Sequence, residues 1–357
     1  MMTSANPPIQ ELTVIKKDIR SYELPQLRQE FTDMGESAFR ANQVYQWLWQ
    51  KNAHSFAAMT NLSKPLRDKL NDLFIIKAVS IAKQQHSNDG TIKLGFALHD
   101  AHLVEGVLIP ADNRMTACVS SQVGCSLACK FCATGKMARI RNLNADEIVD
   151  QVYWLNQQAQ QYYNLPLSNI VYMGMGEPML NYKNMLRSLH LLTSATGANM
   201  AAWRITVSTA GVAKLIKQFA DDDTGCNLAL SLHAANDYKR NQIMDINETN
   251  SLAILAEALQ YYYKKTNQKV TYEYIAFNGF NDNIEDARDL VKFCQYVPCK
   301  VNIIEYNQVE GVPYHKSSED RLTQFQNYLM ANKVNTTVRR SRGKDIDAAC
   351  GQLANKN

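Results

Sequence analysis

The sequence predicts an α/β protein: a partial (β/α)6 barrel, open along one side, preceded by a small helical accessory domain and a short antiparallel β extension. Three observations carry this expectation. Residues up to Phe74 place apolar side chains at helical spacing, the stretch from Ile75 to Ile109 changes to strand spacing, and from Met115 onward strand-like and helical runs alternate. Such alternation gives a parallel sheet with helices outside it, and six units are too few to complete an eight-unit barrel. At 357 residues the chain accommodates one barrel-sized domain and a modest appendage.

The helical domain, expected over 1–78, draws its apolar faces from Leu27, Phe31, Phe39, Tyr45, Trp47, Leu48, Leu66 and Leu70. Lys64-Pro65 suits a helix start, where the missing proline N–H costs nothing. Arg40, Tyr45, Trp47, Trp49 and Lys51 could contact RNA, though aromatics more commonly build a core. In the extension, 79–110, Asn88-Asp89-Gly90 marks a hairpin turn and His99-Asp100 a second connection. The barrel, 111–344, has strands predicted at 116–119, 169–173, 205–208, 227–232, 270–276 and 301–304. Helices are predicted at 145–163, 182–194, 212–219, 252–264, 284–296 and 319–331. The segment 345–357 is a short polar tail containing Cys350.

With 46% hydrophobic and 20% charged residues, and neither repeats nor low-complexity tracts, the composition is that of a globular protein and excludes the disordered class. Met1 to Gln10 contains no apolar leader core, and no run reaches the roughly 18 apolar residues of a membrane span. A cytoplasmic protein without a membrane segment is expected. Its eight cysteines then favour metal or redox chemistry over structural disulfides. The net charge of +4 permits a polyanionic partner. Lys130, Lys136, Arg139 and Arg141 flank the clustered cysteines, and Arg339, Arg340, Arg342 and Lys344 precede Cys350; a solvated basic face explains either run equally well.

Cys125, Cys129 and Cys132 follow the first barrel strand, so they fall on a loop at its carboxyl end, where barrel active sites are built. Three closely spaced thiolates can ligate three irons of a cubane and leave the fourth open, whereas an electron-transfer cluster normally takes four cysteines. Structural zinc is the competing explanation. It requires a fourth ligand and usually a second cysteine knuckle, which is missing; Cys118, on or near a strand, is the one candidate.

The three-then-two spacing resembles the signature of the radical S-adenosylmethionine superfamily, in which an aromatic residue before the third cysteine packs near adenine; Phe131 stands there. The resemblance implies a [4Fe-4S] cluster on Cys125, Cys129 and Cys132, S-adenosylmethionine on the open iron, and a 5'-deoxyadenosyl radical made by one-electron reduction. Gly174-Met175-Gly176-Glu177-Pro178 follows the second strand; Gly176 permits close backbone approach and Glu177 offers a carboxylate to the cofactor ammonium. Ser208, Ser231, Leu232, His233 and Asn307 end or follow later strands and are expected at the same rim, toward ribose, adenine and carboxylate. Each polar residue could instead cap a helix or satisfy the core.

Asp345-Ile346-Asp347-Ala348-Ala349-Cys350-Gly351-Gln352-Leu353 has no place in a generic radical enzyme. Together with the Gly-Met-Gly-Glu-Pro loop, Arg-Ile-Thr-Val-Ser-Thr-Ala-Gly from Arg204 and Leu-Ala-Leu-Ser-Leu-His-Ala from Leu228, it resembles the RlmN and Cfr family of RNA adenine methyltransferases over nearly the whole chain. That resemblance implies that Cys350 takes a methyl group from one S-adenosylmethionine. A second cofactor molecule then yields a methylene radical that adds to adenine. Cys118 matches the resolving thiol, whose attack would leave a Cys118–Cys350 disulfide. Glu105 matches the proposed general base; it lies where both strand faces are apolar, with a solvent-facing carboxylate as the alternative. Ala138 and Ala235 depart from glycine and proline common in relatives, which bears on loop shape. Cys226, Cys294 and Cys299 match no motif and are assigned to packing.

The implied reaction is C2 methylation of adenosine in 23S rRNA, with an anticodon-loop adenosine of tRNA as a second substrate and a flavodoxin- or ferredoxin-type electron donor. Ser341-Arg342-Gly343-Lys344 favours the C2 over the C8 branch, and a monomer is expected. A radical activase of another protein is the alternative enzyme, but it gives Cys350 no task. A non-enzymatic iron-sulfur or zinc module is the remaining possibility.

Overall fold

The computed structural model describes residues 16–355, so the amino-terminal stretch read for a leader lies outside the described residues. The chain divides after Lys77 into two compact units.

In the first unit, α1 (Leu24–Asp33), α2 (Ala38–Trp49) and α3 (Lys64–Leu73) pack with a parallel pair of two-residue strands, β1 (Lys17–Asp18) and β2 (Phe74–Ile75). Ala41, Val44, Tyr45 and Leu48 occupy one stripe of α2 and are buried. Phe39 and Trp47 fall outside that stripe: Phe39 is 61% exposed, and the Lys51 ammonium lies 3.9 Å from the Trp47 ring centroid. Both were expected on the apolar faces, and the helical period moves them off.

The second unit contains one ten-stranded sheet. Its antiparallel part is β3 (Ser80–His86), β4 (Ile92–Ala97) and β5 (Leu103–Ala111), joined through Val107–Cys118 pairing to β6 (Arg114–Cys118). The hairpin turn at Asn88-Asp89-Gly90 joins β3 to β4, as expected. After β6, the short antiparallel strands β7 (Gln122–Val123) and β8 (Arg141–Asn142) close the cysteine loop at its base.

The parallel part runs β6, β9 (Asn169–Tyr172), β10 (Ile205–Thr209), β11 (Asn227–Ser231), β12 (Val270–Ala276), β13 (Cys299–Glu305) and β14 (Thr336–Arg339). Between them lie α4 (Ala145–Tyr163), α5 (Tyr182–Thr193), α6 (Ala213–Asp221), α7 (Asp237–Ile243), α8 (Leu252–Thr266), α9 (Ile284–Cys294) and α10 (Glu319–Ala331). β14 and β3 are the two ends of the sheet order, so the barrel stays open. The predicted helices match within a few residues; β14 and α7 were not predicted. β14 is short and arginine-ended, and α7 is a polar seven-residue helix begun by the Asn236 side chain, which accepts the Lys239 amide.

Helix α4 packs on β4, β5 and β6, covering one face of the extension. Val104, Glu105, Gly106, Val107 and Leu108 are therefore all buried. The solvent-facing alternative for Glu105 is excluded by its 5% exposure.

Candidate active site

One cavity opens at the carboxyl ends of the parallel strands, lined by Cys118 from β6, Cys125, Cys129 and Cys132 from the following loop, and Cys350 from the tail. The cysteine loop folds back because Gly124 takes φ +75°, where a side-chain Cβ would stand 2.1 Å from the Ala138 carbonyl oxygen. Its three thiols influence one another: burial chiefly raises the Cys129 thiol, and negative charge on Cys132, Cys125 and Glu177 raises it further. Burial likewise pushes Cys125 up to about 11. Among the described residues, no three His, Cys, Asp or Glu side chains converge on a single metal ion. Three cysteine thiols lining one cavity are a donor set that fits a [4Fe-4S] cluster with one open iron.

Gly176 and Glu177 line the same cavity. Gly176 has φ +91°, and a Cβ there would lie 2.4 Å from the Gln122 Cβ. The Glu177 carboxylate accepts the Met179 amide at 3.1 Å and the Ala210 amide at 2.8 Å. Burial outweighs these hydrogen bonds and pushes its carboxyl up to about 7. A buried carboxylate met by two amides and the Thr209 hydroxyl, with no cation among its causes of shift, suits an incoming ammonium.

Ser208 and Ser231 place their hydroxyl oxygens 3.4 Å apart on the cavity wall. His233 is held at φ +54° with Nδ1 accepting the Ile275 amide at 3.1 Å. Burial, with help from the Arg240 charge, lowers it to about 3, so the ring is neutral and its proton resides on Nε2. Phe131 packs edge-on against His233 at 4.8 Å between centroids.

Leu232, Asn307 and Glu105 were expected at the site but do not line this cavity. Leu232 is fully buried, and its carbonyl accepts from Arg240 Nε at 3.1 Å. Asn307 Nδ2 donates to the Cys350 carbonyl at 3.3 Å and so holds the tail. Glu105 pairs with Lys93 at 3.3 Å and accepts the Ala354 and Asn355 amides.

Arg240 escaped sequence reasoning, and Arg339 was named there only within a basic run. Arg240, on the unpredicted α7, is fully buried and donates to the carbonyls of Ala210 and Leu232, tying together the loops after β10 and β11. Arg339, at the end of β14, shares the cavity wall with Cys118 and Cys350 and pairs with Glu273 at 3.4 Å. Surrounding protein raises the Cys350 thiol, and the Arg339 charge opposes that shift. Burial similarly pushes Cys118 up to about 12, with Cys350 adding to the rise and Arg339 opposing it.

All eight cysteines are free thiols, so the expected Cys118–Cys350 disulfide is not a feature of this structure. Cys226 is buried as expected, while Cys294 and Cys299 are half-buried at the opposite end of the strands. The basic runs are largely engaged: Arg141 pairs with Glu147 and Asp100, and Arg340 with Glu305 and Glu319.

Residues 17–76 match the family described as the ribosomal RNA large subunit methyltransferase N-terminal domain, and residues 119–294 match the radical SAM superfamily. A Cytophaga hutchinsonii protein named probable dual-specificity RNA methyltransferase RlmN is 55% identical, with 96% of this chain and 93% of the relative aligned. A Bacillus subtilis protein of the same name is 42% identical, with 97% and 95% aligned. The crystal structure of a radical SAM methyltransferase from Sphaerobacter thermophilus superposes with a TM-score of 0.90 at 37% identity, covering 94% of this chain and 99% of that one. The chain belongs to the RlmN family of RNA methyltransferases, within the radical S-adenosylmethionine superfamily.

Proposed function

We propose that the chain methylates C2 of adenosine in 23S rRNA, and an anticodon-loop adenosine of tRNA, through a methyl group carried on Cys350. The carrying observation is that Cys350 and Cys118 line one cavity with Cys125, Cys129 and Cys132. The last three would hold the [4Fe-4S] cluster, and Glu177, Ser208, Ser231 and His233 would hold S-adenosylmethionine beside it. When bound, cluster and cofactor supply a 5'-deoxyadenosyl radical able to remove hydrogen from an S-methyl group.

The residues of the chain divide the remaining work. The Cys350 thiolate displaces the methyl group from a sulfonium, forming a carbon–sulfur bond as the cofactor thioether leaves. Once the carried carbon has joined adenine, the Cys118 thiolate attacks the Cys350 sulfur. A disulfide forms and the carbon–sulfur electron pair stays with the base; the freed methylene carbon takes up a proton to become methyl as Glu105 removes the ring proton, and the odd electron left by radical addition would return to the [4Fe-4S] group. A thiol reductant returns both cysteines to their free state. A flavodoxin- or ferredoxin-type protein supplies electrons, and the enzyme works as a cytoplasmic monomer. No helix among the described residues is long and apolar enough to cross a membrane.

Mass spectrometry of rRNA and tRNA from cells lacking and then regaining the gene tests this reading. 2-Methyladenosine should disappear and return; its persistence without the gene, or a methyl group at C8 after restoration, overturns it.

A further inference from the structure

We propose that Lys93 and Glu105 form a buried dock for the carboxyl-terminal tail, making Lys93 a positioning residue for Cys350. The inference rests on Cys350 as methyl carrier and concerns how its sulfur is placed. Lys93 lies on β4 opposite Val107, and Glu105 lies on β5 opposite Gly95, so the two are diagonal neighbours on one face of the sheet. They are 4% and 5% exposed. The Lys93 ammonium stands 3.3 Å from Glu105 Oε1 and donates to the Asp347 carbonyl at 3.4 Å. Glu105 Oε2 accepts the Ala354 amide at 2.9 Å and the Asn355 amide at 3.2 Å.

One buried ion pair therefore grips the backbone on both sides of Cys350. A pair serving stability alone has no need of this arrangement, since buried ion pairs are commonly replaceable by apolar side chains at little cost. The opposite side of the tail is gripped by the cluster loop: the Ala133 amide donates to the Gly351 carbonyl at 2.7 Å, and Thr134 Oγ1 donates to the Leu353 carbonyl at 2.6 Å. Cys350 is thus suspended between the β extension and the cluster loop. Three donors thus hold the Glu105 carboxylate while the tail is docked, with Oε2 taken by the two tail amides and Oε1 by Lys93.

The test uses the full chain with its cluster reconstituted. Lys93→Met should retain wild-type iron and sulfide content while hydrogen exchange across residues 345–355 accelerates at least tenfold. Methyl transfer from S-adenosylmethionine to Cys350 should slow about tenfold with its KM unchanged, and Lys93→Arg should restore both. Wild-type exchange and transfer rates in an iron-loaded Lys93→Met enzyme overturn the proposal. Should Lys93→Met fail to fold, a chain ending at Leu353, which lacks both amide donors, must show the same loosening over 345–353, and unchanged exchange there overturns the dock. Absence of S-methylcysteine in the wild-type enzyme would instead refute Cys350 as carrier, while the exchange data would still decide the dock.

Discussion

Glu177 accepts the Ala210 backbone amide at 2.8 Å, so one carboxylate ties the loop after β9 to the loop after β10 and faces the cavity between them. Its carboxyl, ordinarily near 4.5, is pushed by burial up to about 7. Below about pH 7 the folded state without cofactor therefore favours the protonated form, and this group lowers fold stability increasingly as pH rises from about 4.5 to about 7. A bound ammonium favours the ionised form. Affinity of the cluster-loaded enzyme for S-adenosylmethionine should rise between pH 6 and 8, with proton release at the lower end. Glu177→Gln should flatten that rise and weaken binding by an order of magnitude or more, as loss of a charge-assisted hydrogen bond worth about 1.5–3 kcal/mol requires. Calorimetry in buffers of different ionisation enthalpy reads both effects.

Gly124→Ala should lower the iron bound after anaerobic reconstitution although Cys125, Cys129 and Cys132 all remain. The left-handed backbone alone costs an alanine about 1–2 kcal/mol. The new Cβ would also lie 2.1 Å from a backbone oxygen that has no flexible end to move. Iron and sulfide analysis checks it, and stoichiometric loading in the variant would show that the loop tolerates another shape.

Arg339→Gln should slow the loading of Cys350, because the guanidinium opposes the upward shift of that thiol. Removing a positive charge raises the thiol pKa further and reduces the thiolate; a one-unit rise means about tenfold less of it. Raising the pH should recover the lost rate. A variant slowed equally at every pH would assign Arg339 to holding Glu273 rather than to activating sulfur.

The sequence made the chemistry readable wherever the ligands lie close together: the cysteine loop, the Gly-Met-Gly-Glu-Pro loop and the ends of the predicted strands all reach the cavity. Long amphipathic helices such as α4 and α10 were readable because their apolar period persists over several turns. Arg240 was not, because its helix is too short and polar to display a period, and its value lies in carbonyls that only the folded chain brings together. Glu105 was readable as an anomalous buried carboxylate, but its partners are distant in sequence: Lys93 across a hairpin and amides in the tail. Asn307 follows the expected strand, but its bond to the Cys350 carbonyl joins segments 43 residues apart, which no local pattern displays.

The role of Cys118 separates the RlmN chemistry from that of a packed strand-end thiol. Cys118 ends β6 and is 8% exposed, and a charge on Cys350 raises it, which places the two sulfurs within electrostatic reach across one cavity. The thioether joining Cys350 to the carried carbon resists water, whereas a neighbouring thiolate can attack its sulfur as the base departs with the electron pair. Cys118→Ala should therefore load its methyl group from one S-adenosylmethionine, cleave a second, and then stop with RNA attached. Deletion of one buried sulfur also costs some stability, on the order of 1 kcal/mol, so iron content and thermal midpoint are measured alongside. After turnover with substrate RNA and nuclease digestion, a Cys350 peptide bearing a methylene-linked adenosine is expected. Free methylated RNA at the wild-type rate, with no such peptide, would falsify the resolving role; the buried thiol would then be a packing residue, and detachment would need a nucleophile from outside this cavity.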